Sequence, residues 1–165
     1  MIKIRFVSKA LCLVVFSLFV QMGLYAQNEK PFVVPELKEW KGSEGAFIPS
    51  ADMRVVYAQE ALRSVAEAFA ADYGQMFGLT LEVIQGKPSA GDIYFTLKKD
   101  KKLGREGYAI RTDRYVTVSA PEAVGAYWAT RTLLQMSEQT ENHQLPKGQL
   151  RDWPDYAMRG FMMDC

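Results

Sequence analysis

Residues 106–136 read "EGYAIRTDRYVTVSAPEAVGAYWATRTLLQM", and a change of period inside this stretch decides the fold. "GYAIRT" and "YVTVSA" alternate apolar and polar side chains on either side of Asp113 and Arg114, the pattern of two half-buried strands joined as a hairpin. The turn lacks the glycine that favours the tightest hairpin forms. Beyond it the period lengthens to three and four. Val124, Tyr127, Trp128, Arg131, Leu134 and Gln135 share one helical face, and this mostly apolar stripe is expected to carry the helix onto a sheet, as far as about Gln139. Ser119-Ala120-Pro121-Glu122 offers a capping box: the Ser119 hydroxyl accepts from the Glu122 backbone N–H while the Glu122 carboxylate reaches back. Such a cap is worth ~1 kcal/mol.

Working outward, "EALRSVAEAFAADYGQMFG" (60–78) places Leu62, Val65, Ala66, Phe69, Ala70, Tyr73 and Phe77 on one face of a second helix, with Gly78 as its stop. "RVVY" (54–57), "LTLEVIQ" (79–85) and "DIYFTL" (92–97) read as strands. Residues 27–50 form an extended lead-in with an edge strand, and "KKDKKLGREG" (98–107) is a solvated turn. "TENHQLPKGQ" (140–149) reads as a polar connection. The order is strand, helix, two strands, hairpin, helix, which predicts an α/β (α+β) sandwich: a mixed sheet with two helices on one face.

Ahead of this domain, residues 1–26 carry three cations and then an apolar core from Ala10 to Val20, with small Ala26 before Gln27. This is the pattern of a signal peptide cleaved after Ala26. The apolar core is shorter than the ~20 residues that cross a bilayer, and Cys12 lies inside it rather than after it, so no stable membrane or lipid anchor is expected. The expected location is exported, periplasmic or extracellular. Without Lys3, Arg5 and Lys9 the formal charge changes from +1 to −2, 17 basic residues facing 19 acidic ones. No basic block stands out, which argues against nucleic acid as a partner. Cleavage leaves Cys165 as the only cysteine, so no intrachain disulfide is expected.

Catalytic candidates inside the domain are few. His143 stands in a polar loop without a second histidine or a cysteine at ligand spacing, and reads as a surface residue rather than part of a metal site. "GQMFG" and "GREG" lack the lysine or the strand-to-helix setting of a phosphate-binding loop. The carboxylates mostly occupy turns and polar helix faces. No cofactor or metal is expected.

The tail is more informative. "WPDYAMRGFMMDC" (153–165) ends in an apolar run suited to a strand buried on both faces, with Arg159 and Gly160 before it. On periodicity alone it adds a strand to the domain's own sheet, with Arg159 as a surface charge. Residues 106–136 and "LRDWPDYAMRGFMMDC" (150–165) together, however, resemble the domain junction of glycoside hydrolase family 20, the β-N-acetylhexosaminidases. The matching features are the hairpin, the Gly-Ala-aromatic helix ending in "TLLQ", and the Arg-Gly strand start, in the same order and spacing. After the signal peptide at 1–26, the resemblance implies an accessory α/β domain at 27–150, and at 151–165 the first strand of a (β/α)8 glycosidase barrel, truncated. It implies that Arg159 binds hydroxyls of an N-acetylhexosamine through its rigid fork of donors, and that Asp164 supports the site from behind. The catalytic Asp-Glu pair of that family would lie beyond Cys165. The fragment is therefore expected to be inactive, while the complete protein hydrolyses terminal N-acetylhexosamine by a substrate-assisted retaining route. The alternatives are a non-catalytic envelope module that binds glycan or a partner, and the accessory domain of a family 84 hexosaminidase or an α-glucuronidase.

Overall fold

The computed structural model describes residues 27–156 and 160. Along the chain run β1 (Glu39–Phe47), β2 (Arg54–Tyr57), a 3-10 turn (Glu60–Leu62), α1 (Arg63–Phe77), β3 (Glu82–Gln85), β4 (Ile93–Leu97), β5 (Tyr108–Thr112), β6 (Val116–Ala120), α2 (Ala123–Glu138) and β7 (Leu145–Asp152). The strands form one mixed sheet in the order β1-β7-β5-β6-β4-β2-β3. β6, β4, β2 and β3 pair in parallel; β5 joins β6 and β7 antiparallel, and β7 joins β1 antiparallel.

Register explains which residues form the core. Val55, Ile93 and Val116 are aligned across β2, β4 and β6, as are Tyr57, Phe95 and Val118; Ile110 continues the second row onto β5 and Leu150 onto β7. All eight are buried. Both helices cover this face. Phe69 of α1 meets Phe95 with ring centroids 5.7 Å apart, and Thr132 of α2 meets Tyr108 of β5. β2 lies between two parallel neighbours, so Val55 and Val56 are both buried although they point to opposite faces. α1 stops at Gly78, whose φ of 74° allows its N–H to reach the Gly74 carbonyl at 2.9 Å. The mixed sheet, the hairpin, the edge strand β1 and the two helices follow the sequence expectation.

Three expectations are corrected. The capping box does not form: Ser119 lies inside β6, paired with Thr96 and Ala109, and α2 begins at Ala123 with no side-chain cap. Ladders on both sides hold β6 in strand form to Ala120, and the Glu122 carboxylate pairs with Arg105 at 3.1 Å instead. The connection at 140–149 is half strand, because β7 begins at Leu145 and fills the place between β5 and β1. Finally, the α2 stripe is rotated relative to the expectation. Gly125, Ala126, Ala129, Leu133 and Met136 are buried, Leu134 being the one large apolar member of the expected stripe that joins them. Val124, Tyr127 and Trp128 remain 36–40% exposed. Small side chains let α2 lie close to the sheet, so the bulky aromatics are displaced outward. The strand expected at 161–165 lies outside the described residues.

Candidate functional site

Arg159 and Asp164, the residues singled out from the sequence, lie outside the described residues. What the structure places is the ground leading to them. β7 ends at Asp152, and Trp153, Pro154, Asp155 and Tyr156 then form one wall of a groove of about 500 Å³. The outer face of α2 forms the second wall, through Trp128, Arg131 and Gln135; Val34 and Pro35 of the lead-in form the third.

Each wall is held by an identifiable contact. The Gln135 side chain acts as a piece of backbone: its Oε1 accepts from the Val34 N–H at 2.9 Å and its Nε2 donates to the Val34 carbonyl at 3.2 Å. One turn on, Gln139 Nε2 donates to the Phe32 carbonyl. The lead-in is thus strapped to α2 as an extra strand would be to a sheet. Arg131 donates to Asp72 of α1 at 2.5 Å, and its guanidinium lies over the Tyr127 ring, 4.9 Å from the centroid. Lys38 pairs with Asp155 across the groove mouth. Lys102 pairs with Glu39 and lies 4.7 Å from the Trp153 ring centroid, while Arg151 donates to Asp100 at 2.6 Å and to Glu39 at 3.3 Å. The lysine-rich turn is therefore partly an ion-pair network under β1 and β7, with Leu103 buried beneath it.

At the floor, Tyr108 and Asp152 face each other across β5 and β7. The phenol donates to Asp152 Oδ2 at 3.1 Å and lies 2.5 Å from the Thr132 hydroxyl. Burial pushes the Asp152 carboxyl above its ordinary range, although Tyr108 and the Lys38 N–H, which donates to Oδ1 at 3.3 Å, act against it. Burial likewise raises the Tyr108 phenol far above its ordinary value. These groups join the end of β7 to α2. Their hydrogen bonds close on one another, so they anchor the exit of the chain and offer little to a ligand.

Tyr108, Thr132 and Asp152 carry no joint signal in the sequence: Asp152 reaches the other two only through β7, whose first half has the pattern of a polar connection, and the Tyr108–Thr132 bond joins a strand to a helix 24 positions on. Gln135 falls on the α2 face in the sequence pattern, but its partner, an extended residue 101 positions earlier, leaves no periodic trace. His143 packs its ring on Phe77, with centroids 4.2 Å apart, and its Nδ1 lies 3.2 Å from the Ser137 carbonyl oxygen, joining the ends of the two helices. Among the described residues no three or more His, Cys, Asp or Glu side chains are grouped to hold a metal ion. No helix among them is long and apolar enough to cross a membrane.

Comparison with known proteins agrees with this architecture. The family model for glycosyl hydrolase family 20, domain 2, matches residues 30–153. A beta-hexosaminidase from Porphyromonas gingivalis is 28% identical over 142 residues, covering 80% of this chain and 18% of that protein. Among solved structures, the GH20 β-N-acetylhexosaminidase of Streptomyces coelicolor A3(2) superposes with a TM-score of 0.64 at 18% identity, over 80% of this chain and 28% of that one. The β-N-acetylhexosaminidase of Bacteroides fragilis superposes with a TM-score of 0.57 at 20% identity, over 75% and 25%. The chain thus spans less than a third of the length of these relatives.

Proposed function

Since the chain belongs to glycosyl hydrolase family 20 and matches that family's domain 2, we propose that it is the accessory domain of an exported β-N-acetylhexosaminidase, with the first strand of the catalytic barrel attached. On this reading, residues 1–26 direct export and are removed, 27–150 form the accessory domain, and 151–165 begin the barrel. The location is periplasmic or extracellular, and the partners are glycans ending in N-acetylhexosamine. The observation that carries the reading is the match over residues 30–153, which runs to the point where the chain leaves β7 towards Arg159 and Gly160.

In this proposal Arg159 holds two neighbouring sugar hydroxyls. A guanidinium suits the task because its donors are fixed in a plane and it keeps its charge at any working pH. Gly160 keeps the start of the strand free of a side chain, and Asp164 supports the site from behind. The reacting groups are supplied by substrate and barrel. The 2-acetamido oxygen attacks the anomeric carbon, a glutamic acid protonates the departing oxygen, and an aspartate orients the amide; water then opens the cyclic intermediate with retention. Both carboxylates are assigned to the polypeptide after Cys165.

The test is turnover of a chromogenic N-acetyl-β-glucosaminide. Residues 27–165 are expected to release no product above background, whereas the polypeptide extended through its native downstream coding sequence is expected to turn over. Activity in the short chain, or none in the extended one, would contradict the proposal.

A further inference from the structure

We propose that the pocket behind the β1 bulge, on the face of the sheet opposite the helices, is a saccharide-binding site that holds one ring of a neutral glycan containing N-acetylhexosamine. The choice of sugar rests on the hexosaminidase reading just given. The choice of a neutral, hydroxyl-rich ligand rests on the pocket itself.

The pocket has a volume of about 220 Å³, and Ser43, Glu44, Arg111, Asp113, Lys147 and Gln149 line it. That is below the ~300–1,000 Å³ of sites for drug-sized ligands, a size for one small ring. Its outer wall exists because β1 and β7 lose register between Gly42 and Ala46, where Ser43, Glu44 and Gly45 stand opposite Lys147 alone. Extra residues of this kind bend a strand and re-aim its side chains. Asn28 fixes the bulge from outside. Its Nδ2 donates to the Gly45 carbonyl at 2.6 Å and to the Lys147 carbonyl at 3.0 Å, and its backbone N–H donates to the Ser43 carbonyl at 3.2 Å. The two strands are thus tied together before a ligand arrives, which lowers the ordering cost of binding.

The polar groups are also available. In the groove beside α2, Lys38 is paired with Asp155, Arg131 with Asp72 and Gln135 with the Val34 backbone. In the pocket, among the described residues, the side chains of Glu44, Lys147 and Gln149 have no hydrogen-bond or ion-pair partner. Arg111 and Asp113 meet through one contact of 3.3 Å, with more than half of each side chain exposed. Arg111 and Lys147 donate, Glu44 and Asp113 accept, and Ser43 and Gln149 do both. A sugar hydroxyl also does both, so a ring set among these groups finds partners on every side. Two cations facing two carboxylates leave no net charge. An anion would meet Glu44 and Asp113, and a cation Arg111 and Lys147, so the pocket selects a neutral ligand.

Register extends the site beyond the pocket. Gln149, Arg111, Thr117 and Tyr94 are aligned across β7, β5, β6 and β4 on the face opposite the helices. Three strand spacings, ~14 Å, separate the first from the last. A linear oligosaccharide seated in the pocket therefore runs past the Thr117 hydroxyl towards half-buried Tyr94, whose apolar ring and polar tip suit a pyranose.

Titration of nitrogen-15-labelled residues 27–165 with triacetylchitotriose, followed through the backbone amide shifts, tests this. Saturable shifts are expected at residues 43–45, 111–113 and 147–149, with weaker binding of the anionic control trigalacturonate. Arg111→Met and Gln149→Leu are each expected to weaken binding about 10-fold, the loss of one or two hydrogen bonds to the ligand. Both side chains are exposed, so the thermal midpoints should stay near wild type. Absence of saturable shifts overturns the proposal, as does saturation confined to residues 128–135 and 153–156, or unchanged affinity in both folded variants. Trigalacturonate binding as tightly as triacetylchitotriose overturns it too. Turnover by the polypeptide extended through its native downstream sequence separates the two ideas. An active polypeptide whose pocket does not respond to the saccharide contradicts this site alone, and an inactive one whose pocket does respond contradicts the hexosaminidase reading alone.

Discussion

Arg54 and Asp92 show how single residues hold this sheet together. Arg54 opens β2 and reaches Asp92, just before β4, through two bonds of 3.0 and 2.7 Å, and the Ser89 N–H donates to the same carboxylate. Burial alone would raise the Asp92 carboxyl; the Arg54 side chain and the Ser89 amide outweigh it and hold the carboxyl below its ordinary 3.8. The stabilisation is therefore complete above that ordinary value and is lost as pH falls through the lower folded one. Arg54→Met leaves a buried carboxylate without its cation. Because Arg54 is itself partly solvated, the loss of stability near neutrality is expected to be smaller than for a fully buried pair. Urea unfolding measures it, and the difference from wild type should shrink in acid. Asp152 has the opposite sign. Its folded value is raised, so stability falls as pH rises from 3.8 through the folded value. Asp152→Asn keeps an acceptor for the Lys38 N–H, places an amide donor towards the Tyr108 oxygen, whose proton can turn to Thr132, and removes the charge. Its unfolding midpoint at neutral pH should equal or exceed wild type and should vary less over that interval.

At the scale of the element, α2 depends on close approach to the sheet. A Cβ on Gly125 would lie 2.3 Å from the Gly107 carbonyl oxygen and 3.2 Å from the Ala120 side chain. Gly125→Ala is therefore expected to push the helix off β5 at a cost of about 2 kcal/mol, read as a lower denaturant midpoint with an unchanged slope. The same contact explains what was legible in the sequence. Strands whose burial alternates, such as β5 and β6, and α1, whose large apolar residues other than the exposed Met76 face one way, could be read directly. α2 could not be oriented, because Ala126 and Ala129 carry little weight in a hydrophobic pattern beside Tyr127 and Trp128, although the alanines, with Leu133 and Met136, are among what the helix buries. β7 was hidden for a related reason. It contains Pro146 and Gly148, and Gly148 makes room for the Trp40 ring of β1; a residue chosen for a neighbour's bulk gives no strand signal of its own. The Ser119 cap failed because ladder pairing on two sides outweighs a contribution of ~1 kcal/mol.

For the molecule as a whole, the described residues build a scaffold whose exit leads towards Arg159. The family is shown by the match over residues 30–153, while the proposed sugar contact depends on a residue outside the described fold and on polypeptide beyond Cys165. Legibility divides in the same way: the domain could be read from its own periodicity, but the candidate site could be read only through resemblance, since its remaining groups are assigned elsewhere. The direct measurement is the kcat/KM of the extended polypeptide on a chromogenic N-acetyl-β-glucosaminide, wild type against Arg159→Ala, with thermal midpoints confirming that both are folded. Loss of two charge-assisted hydrogen bonds predicts a fall of about 100-fold or more; a folded variant within about 2-fold of wild type, less than a single such bond is worth, would contradict the account.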